Sequence, residues 1–418
     1  MKVLHINTLD AGGAFNAAFR LHEGLLQLKI DSTFLSKKKL FKKGCVDEGF
    51  PVFSRFGFSL KKRILNKLRI QLSNTSVKIY DHNQLNQSIE CFSSPNTDFK
   101  LGEYIIDYFK PDIVNLHWVA DFLDYTEFFA AINIPVVWTL HDQAPFSSYW
   151  HYSNDHIQNS KARSIHSKYI SIKRKALEKF DFPIEIVAPS NWLMNESKKS
   201  PVFEKFPHQM VRNGIDTDLY KITHEIPKGL NTEDLNEIKI KLLFICQSID
   251  NVRKGMALLL EALELIKHHN FQLIAIGEST DSVSNKLPSD TIYTGRISDQ
   301  AELVKYYNLA DYTIIPSLQD NLPNTLVESL CCGTPVIGTP AGGVFEILQD
   351  DKFGILSQGF LPSQLSTALE KAMSNFDKFN STAIAAGAAD IFQIKKQADS
   401  YVDIYHALLS SNNSHRKE

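Results

Sequence analysis

The sequence predicts an α/β protein of two domains, each with a mostly parallel β-sheet and helices on both of its faces. Short apolar runs typical of buried strands alternate along the chain with stretches of helical periodicity. This alternation stops in a polar stretch and then starts again. The length of 418 residues agrees with two or three domains.

The first half of the chain opens with a strand at residues 2–7. A Gly12-Gly13 loop then leads into an apolar-periodic helix from about residue 16 to residue 28. This order of a strand, a Gly-containing loop and a helix is typical of the start of a parallel βαβ unit. The remaining elements predicted here are strands at 112–117, 134–140 and 184–188, and helices at 124–131 and 160–180.

The second half begins after a polar stretch at residues 221–239, which contains Pro227 and Gly229 and is the predicted linker. We therefore expect an N-terminal domain at 1–220, a C-terminal domain at 221–392, and a last helix from about 393 to 409 with a tail at 410–418. The other elements predicted here are strands at 240–246, 271–276, 291–293, 312–315 and 336–337, and helices at 256–268, 299–309 and 344–348.

Composition indicates a globular protein of a reducing compartment. Hydrophobic residues make up 43% and charged residues 22%, with a net charge of −2. The five cysteines have no metal-ligand spacing and are odd in number, which argues against a disulfide framework. The N-terminus lacks a signal-peptide core, and residues 128–140 are too short and too interrupted for a membrane span. A cytoplasmic protein is expected.

The segment from 314 to 337 carries the clearest chemical signal. An apolar strand runs into a loop with Asp320, and a helix with Glu328 follows, then Gly333 and another strand. A loop carboxylate can accept hydrogen bonds from sugar hydroxyls, Glu328 could hold a ribose, and free N–H groups at the helix start favour phosphate. The pattern indicates a nucleotide-sugar site. The alternative is an ordinary α/β helix, with Asp320 solvated in a turn.

These residues resemble the donor-binding signature of retaining glycosyltransferases of family 4, which have the GT-B fold. That family usually has Glu-x7-Glu where this chain has Asp320-x7-Glu328, so the first acid is one methylene shorter. The resemblance implies two Rossmann-like parallel-sheet domains that face a central cleft. It also implies that the last helix packs back toward the N-terminal domain.

The resemblance places the donor mainly on the second domain. Lys254-Gly255 matches the family's diphosphate-binding Lys-Gly, whereas Ile249 stands where the family usually has an arginine, and Arg253 is the nearest substitute. A basic turn and a simple strand-to-helix turn remain the alternatives for these positions. The residues assigned to the donor are Gly12, Gly13, Arg253, Lys254, Gly277, Arg296, Ile297, Asn321, Leu322, Asn324, Thr325 and Glu328.

In the first domain, the Gly12-Gly13 loop lacks the third glycine and the downstream acid of a dinucleotide fingerprint, so a nicotinamide cofactor is rejected. His141 matches the family's histidine near the transferred sugar, and it is assigned to the catalytic site with Asp320 and Glu328. His117 and Trp118 also end a strand and are assigned to the acceptor. Core packing remains the alternative for these three first-domain side chains.

Basic residues cluster near the N-terminus, where residues 1–80 hold 15 Lys and Arg against 5 Asp and Glu. Residues 60–72 have an apolar face surrounded by cations, which suits a helix lying on an anionic membrane surface. Packing of that helix on the first domain is the alternative. Nucleic acid is not expected as a partner, because no aromatic platform accompanies the charges.

The expected activity is transfer of a sugar from a nucleotide diphosphate sugar to a hydroxyl of a saccharide or lipid-linked acceptor. The resemblance implies retention of anomeric configuration, no metal, no cofactor beyond the co-substrate, and a place in surface polysaccharide or glycolipid assembly. Two alternatives stay open. One is a sugar-nucleotide epimerase or hydrolase of the same fold, and the other is a non-catalytic partner of a true transferase.

Overall fold

The structure is a computed structural model that describes residues 1–37, 39–42, 45–48, 93–97, 99–153, 163–230, 239–374 and 378–415. Its strands form two separate sheets, one of eight strands and one of six. The predicted membrane-surface helix at 60–72 lies outside the described residues. Within the described residues, no helix is both long enough and apolar enough to span a bilayer.

The first sheet has the strand order β4-β3-β2-β1-β5-β6-β7-β8. The six strands β2, β1, β5, β6, β7 and β8 are parallel, as predicted. The other two strands, β3 and β4, form an antiparallel edge that was not predicted. The lysines of β3 were interpreted only as part of the basic surface, and a short lysine-containing strand is typical of a sheet edge. The strands are β1 Lys2–Asn7, β2 Asp31–Ser36, β3 Lys39–Lys42, β4 Cys45–Glu48, β5 Ile113–Leu116, β6 Val136–Thr139, β7 Ile184–Ala188 and β8 His208–Met210.

Both faces of the first sheet are buried, because neighbouring residues of one strand belong to different cores. In β1, Leu4 and Ile6 enter one apolar cluster, and Val3 enters the cluster on the other face. This explains why the strands are continuous apolar runs rather than alternating patterns. The helices of this part are Gly13–Gln27, Leu101–Tyr104 with a π-helical continuation Ile105–Phe109, Tyr125–Ala131, Arg163–Glu178 and Asn191–Lys198.

The second sheet is parallel throughout, in the order β11-β10-β9-β12-β13-β14. Its strands are β9 Ile240–Ser248, β10 Phe271–Glu278, β11 Ile292–Gly295, β12 Tyr312–Ile315, β13 Val336–Gly338 and β14 Gly354–Leu356. Its helices are Met256–Leu265, Asp281–Ser284, Gln300–Leu309, Asn324–Cys331, Gly343–Leu348, Pro362–Ser374 and Ser381–Phe392. Both sheets place their C-terminal strand ends near residues assigned to the site.

Helix Ile394–His415 packs against helix Gly13–Gln27 and the first sheet. Its Tyr405 hydroxyl accepts a hydrogen bond of 2.8 Å from Asn115, and its Tyr401 hydroxyl lies 2.9 Å from the Thr139 hydroxyl. The predicted tail at 410–418 is wrong for residues 410–415, which are helical. Ser410 and Ser411 donate to carbonyls one turn earlier, so their hydroxyls are satisfied within the helix.

Candidate functional site

The loops that follow the strands of the two sheets meet in a cleft. Asn324 of the second domain donates to the Gly13 carbonyl at 3.0 Å, and Asn321 donates to the His141 carbonyl at 3.2 Å. A third contact joins the Gln319 amide to the Ser153 hydroxyl at 2.8 Å. Ligands of open α/β sheets bind outside the carboxyl ends of the strands, which is where these loops lie.

Asp320 forms the centre of a charged cluster with the two predicted diphosphate cations. The Lys254 ammonium lies 2.6 Å from Asp320 Oδ2, and Arg253 Nη1 lies 3.4 Å from the same oxygen. Burial by itself would raise the pKa of Asp320, but Lys254 and then Arg253 outweigh it and lower that pKa. Two cations face one carboxylate, so the cluster keeps an excess positive charge beside the cleft, as an anion site requires.

Arg253 is also held from the first domain. Its guanidinium lies over the ring of Tyr152, 4.0 Å from the ring centroid, and Nη1 donates to the Gln319 carbonyl at 3.1 Å. A guanidinium stacked on an aromatic ring and bonded to a carbonyl has lost much of its rotamer freedom. Tyr152 thus links the first domain to the charged cluster of the second.

Gly255 permits the close approach of Lys254 to the loop of Asp320. It has φ of 79°, and a Cβ atom there would lie 1.9 Å from the Pro316 carbonyl oxygen. The family resemblance supplied this glycine as part of a Lys-Gly pair, and the packing now gives the physical reason for it.

Replacing Gly255 by Ala is expected to lower the free energy of unfolding by about 2–3 kcal/mol, because strain and a backbone clash add. Gly229 is a matched control, since it has φ of 80° but open space around its Cβ position. Gly229→Ala should lower the free energy of unfolding by only about 1 kcal/mol. Urea unfolding of both variants checks this, and equal losses would contradict the close approach.

Glu328 is buried and bound across the domain boundary. Arg20, on the first-domain helix Gly13–Gln27, donates to Glu328 Oε1 at 2.9 Å, and the Tyr307 hydroxyl donates to Oε2 at 2.9 Å. Arg20 also lies 5.2 Å from the ring centroid of Tyr220. Both oxygens of the carboxylate therefore have protein partners, and the contact of Glu328 with a ribose stays a prediction.

His141 follows β6 and is half-buried at the cleft, where its Nε2 lies 3.1 Å from Nδ1 of His117. Burial lowers the pKa of His141 to about 4, with Asp142 opposing the shift. The imidazole is therefore neutral at neutral pH and is suited to a hydrogen-bonding role. His117 is only 1% exposed but lines the same cleft as His141, and its assignment to the acceptor stays a prediction.

Trp118 reaches the cleft, and its indole N–H donates to Asp142 at 2.8 Å. Asp142 also pairs with His151, with 2.6 Å between His151 Nδ1 and Asp142 Oδ2, and it accepts from the Ala144 N–H at 2.9 Å. Together with His141 and the buried Lys173, Trp118 and Asp142 line a cleft that opens to solvent.

The remaining donor residues fall into two sets. Asn321 and Leu322 are buried, and Asn324 and Thr325 are partly exposed in the first turn of their helix. Leu322 packs in the apolar core, so only its backbone could contact a donor. In the loop after β1 of the first domain, Gly12 has φ of 95°, and a Cβ atom there would lie 3.8 Å from the Gln247 side chain.

Gly277, Arg296 and Ile297 lie farther along the sheet edge. Gly277 is the last residue but one of β10, and a Cβ atom there would lie 2.6 Å from the Cys246 carbonyl oxygen. Arg296 is exposed and pairs with Glu278 at 2.9 Å, whereas Ile297 packs against the core of the second domain. A contact of these backbones with a nucleobase stays a prediction.

Among the described residues, one group of side chains has metal-ligand spacing, with ligand atoms within 4.8 Å of one another: His268, His269 and Glu370. These histidines precede β10, so they lie at the N-terminal edge of the second sheet. The cleft lies at the opposite edge.

Three residues of this cleft, Arg20, Gln319 and Tyr307, were not predicted from the sequence. Ser190 donates to the side-chain oxygen of Asn321 at 2.6 Å and so orients its amide toward His141. No local pattern marks these residues, because each acts on a partner from a distant part of the chain. Only the position of Arg20 in the helix after the Gly12-Gly13 loop could have drawn attention.

Comparison with known proteins identifies the second domain. Residues 239–375 match the family model described as Glycosyl transferases group 1. The match covers most of the second domain. A curated relative of this group 1 domain is a D-inositol 3-phosphate glycosyltransferase 2 of Catenulispora acidiphila, which is 29% identical over 108 residues, 22% of this chain. The chain spans 25% of that relative's length.

Solved structures extend the likeness from the group 1 domain to the whole chain. Sucrose-phosphate synthase from Thermosynechococcus elongatus superposes with a TM-score of 0.68 at 13% identity, covering 98% of this chain and 100% of that one. Anabaena HepE in complex with UDP and glucose gives a TM-score of 0.62 at 14% identity, covering 97% and 99%. At these identities the likeness shows the fold, and the predicted GT-B architecture is confirmed.

Proposed function

We propose that this protein is a glycosyltransferase that moves a sugar from a nucleotide diphosphate sugar to an acceptor hydroxyl. The observation that carries the proposal is the meeting of His141 with the charged cluster. Asn321 bonds the His141 carbonyl and is the residue after Asp320, which itself binds Lys254. A group expected near a transferred sugar thus lies beside cations suited to a leaving diphosphate.

In the proposed reaction, the bond between the anomeric carbon and the diphosphate oxygen breaks, and its electron pair leaves with the diphosphate. The acceptor oxygen forms the new bond to the same carbon, and its proton passes to the leaving diphosphate or to water. Lys254 and Arg253 would neutralise the developing negative charge, which is electrostatic preorganisation. Retention of configuration is part of the proposal and rests on the resemblance of the donor loop.

The cluster is arranged to exchange an internal partner for a ligand. Lys254 and Arg253 share Asp320 and are themselves partly exposed, with side-chain exposures of 25% and 15%. A diphosphate offers these cations more negative charge than one carboxylate does, and it accepts several hydrogen bonds. The complex of HepE with UDP and glucose supports a uridine diphosphate sugar as the first donor to test.

A non-catalytic partner protein is the second candidate, and a specific observation favours it. Asp320 and Glu328 both have protein partners, so the two carboxylates of the donor motif already have internal roles. A protein that kept the fold and lost its substrate could keep these contacts for stability alone. Such a protein should bind no nucleotide diphosphate.

A thermal-shift screen against UDP, GDP, ADP, CMP and their common sugars tests the proposal. A ligand at a hundred times its dissociation constant should stabilise the protein by about 2.7 kcal/mol. We expect one nucleotide diphosphate to do so, and we expect Lys254→Ala to abolish the effect. Lys352→Ala is the control, because Lys352 forms an exposed pair with Asp350 far from the cleft.

No shift with any nucleotide would support the non-catalytic candidate, whereas loss of the shift in Lys352→Ala as well would contradict the assignment of Lys254 to the donor site. The product of the reaction decides between the transferase and an epimerase or hydrolase. A transferase should convert little donor until an acceptor is added, whereas an epimerase or hydrolase should convert the donor alone. The acceptor class we propose is a saccharide or lipid-linked hydroxyl in surface polysaccharide or glycolipid assembly, with peripheral membrane contact through 37–72.

A further inference from the structure

Three histidines from neighbouring strands form a continuous hydrogen-bonded row. His5 lies in β1, His117 follows β5, and His141 follows β6, and these three strands are adjacent in the first sheet. His5 Nδ1 lies 2.9 Å from His117 Nε2, and His117 Nδ1 lies 3.1 Å from His141 Nε2. The bond between His5 and His117 could not be predicted from the sequence, since the two positions are 112 residues apart.

The row runs from the interior of the first domain to the cleft. His5 is fully buried and stacks on Phe34, with ring centroids 6.1 Å apart, and His117 is 1% exposed. His117 and His141 both line the cleft, His141 is the more exposed of the two, and Asn321 holds the His141 carbonyl. The position of the proton on the buried His5 ring therefore determines which nitrogen of the His141 ring carries a proton.

Imidazole chemistry limits the row to two arrangements. A neutral ring has one N–H donor and one acceptor nitrogen, so both bonds must point the same way along the row. If His5 donates to His117, then His117 donates to His141, and His141 keeps its own proton on Nδ1. If the bonds point the other way, His141 keeps its proton on Nε2 and His5 must carry an N–H on its Nε2.

The environment of His5 distinguishes these arrangements. His5 Nε2 is buried and makes no hydrogen bond. A buried N–H without an acceptor is rarer in folded proteins than an acceptor without a donor, so the proton belongs on Nδ1. The same unpartnered nitrogen closes the row at its inner end, so a proton that entered at His141 would have no exit there. The row can fix a tautomer, but it cannot conduct protons away.

We propose that His117 and His5 are positioning residues that hold His141 neutral, with its proton on Nδ1 and Nδ1 as its remaining donor toward the cleft. Burial favours the neutral form of all three rings and lowers their pKa values. His141 then acts by donating a hydrogen bond to an oxygen of the transferred sugar, not by accepting a proton. This identification of the ligand rests on the proposed function, whereas the tautomer does not.

Nitrogen NMR of the free, full-length protein labelled with ¹⁵N-histidine tests the tautomer directly. Nδ1–H and Nε2–H rings give distinct patterns of ring-nitrogen shifts, and His141→Gln assigns the signal. We expect a single Nδ1–H form of His141 that persists from pH 7.5 to pH 5. A predominant Nε2–H form, or a protonated ring at pH 6, would overturn the proposal.

Variants separate positioning from mere packing. His117→Phe keeps a ring and removes both bonds, and His5→Phe removes only the inner bond and guards against a folding defect in the first variant. In each, His141 should become a mixture of tautomers with a higher pKa. His22→Phe is the matched control, because His22 packs on His5 but bonds Ser32, and it should leave the His141 signal unchanged.

Once a donor is known, His117→Phe should lower kcat about 10- to 100-fold, as loss of a supporting hydrogen bond does, with little change in KM for the donor. Its pH–rate profile should also gain a limb near the pKa of a free histidine. A kcat equal to wild type, with a single Nδ1–H form retained, would show that the row has no positioning role. The expected NMR result without transfer to any acceptor would overturn the proposed function and leave the tautomer assignment intact.

Discussion

Replacing Glu328 by Gln is expected to lower the free energy of unfolding by about 3–5 kcal/mol. The substitution leaves the charge of Arg20 in a site where both side chains are only 7% exposed. Removal of one partner from a buried ion pair is costly because the other charge remains desolvated, and the Tyr307 hydroxyl also loses a charged acceptor. Urea unfolding followed by circular dichroism measures the loss.

Two further variants show whether the charge is responsible. The double variant Arg20→Met and Glu328→Leu should recover most of the lost stability, since apolar side chains of similar volume replace buried pairs well. Asp399→Asn is the surface control, because its pair with Lys395 is about half-exposed on both sides, and we expect a change below about 1 kcal/mol. A Glu328→Gln protein as stable as wild type would mean that Arg20 is solvated and that the domains are farther apart in solution.

Acidification from pH 7.5 to pH 5 is expected to destabilise the protein by about 2 kcal/mol for each of two buried histidines, His22 and His141. Burial lowers the pKa of each from an ordinary value of 6.5 to about 4. Between pH 6.5 and pH 4 the unfolded chain therefore binds more protons than the folded one, so stability falls as the pH falls through this window. His5 and His117, whose pKa values are also lowered, add to the loss.

Other groups act in the opposite direction or outside that window. Burial raises the pKa values of Glu23, Glu127 and Glu185, so their protonation partly offsets the loss near the acidic end. Lys173, whose pKa burial lowers to about 7, is protonated in both states below that pH and contributes no slope there.

The measurement is urea unfolding at closely spaced pH values. His22→Gln should reduce the slope of stability against pH, because it removes one of the two buried histidines. A protein equally stable at pH 7.5 and pH 5 would contradict the buried, neutral state of the histidine row.

Local patterns predicted most of the fold. Strands such as β7 and β12 were predicted with their observed bounds, because a buried parallel strand is a short apolar run that needs no information from elsewhere in the chain. The antiparallel edge of β3 and β4 was not predicted, since the lysines of β3 were interpreted as part of a basic surface. The helix after Gly12-Gly13 begins at Gly13, three residues earlier than predicted, because its first turn is capped by backbone alone.

The residues of the site also divide into those that a local pattern marks and those whose contacts depend on distant parts of the chain. Lys254 and Asp320 could be assigned from the sequence because each lies in a recognisable loop after a strand. The pairing of Arg20 with Glu328 joins positions 308 residues apart, and its existence depends on how the domains meet. His117 was assigned to the acceptor because it ends a strand. The sequence could not show that its ring nitrogens lie within hydrogen-bond distance of His5 and His141.

The helix Ile394–His415 has a consequence for synthesis of the chain. Ala398, Tyr401 and Tyr405 complete the apolar cluster on the face of the first sheet that contains Val3 and Ile113. Roughly 180 residues separate the end of β8 from this helix, so at ordinary ribosome speeds that face waits about 10 to 40 s for its cover. The first domain is therefore a late-finishing unit during translation, and its open face is a natural place for a chaperone to bind the nascent chain.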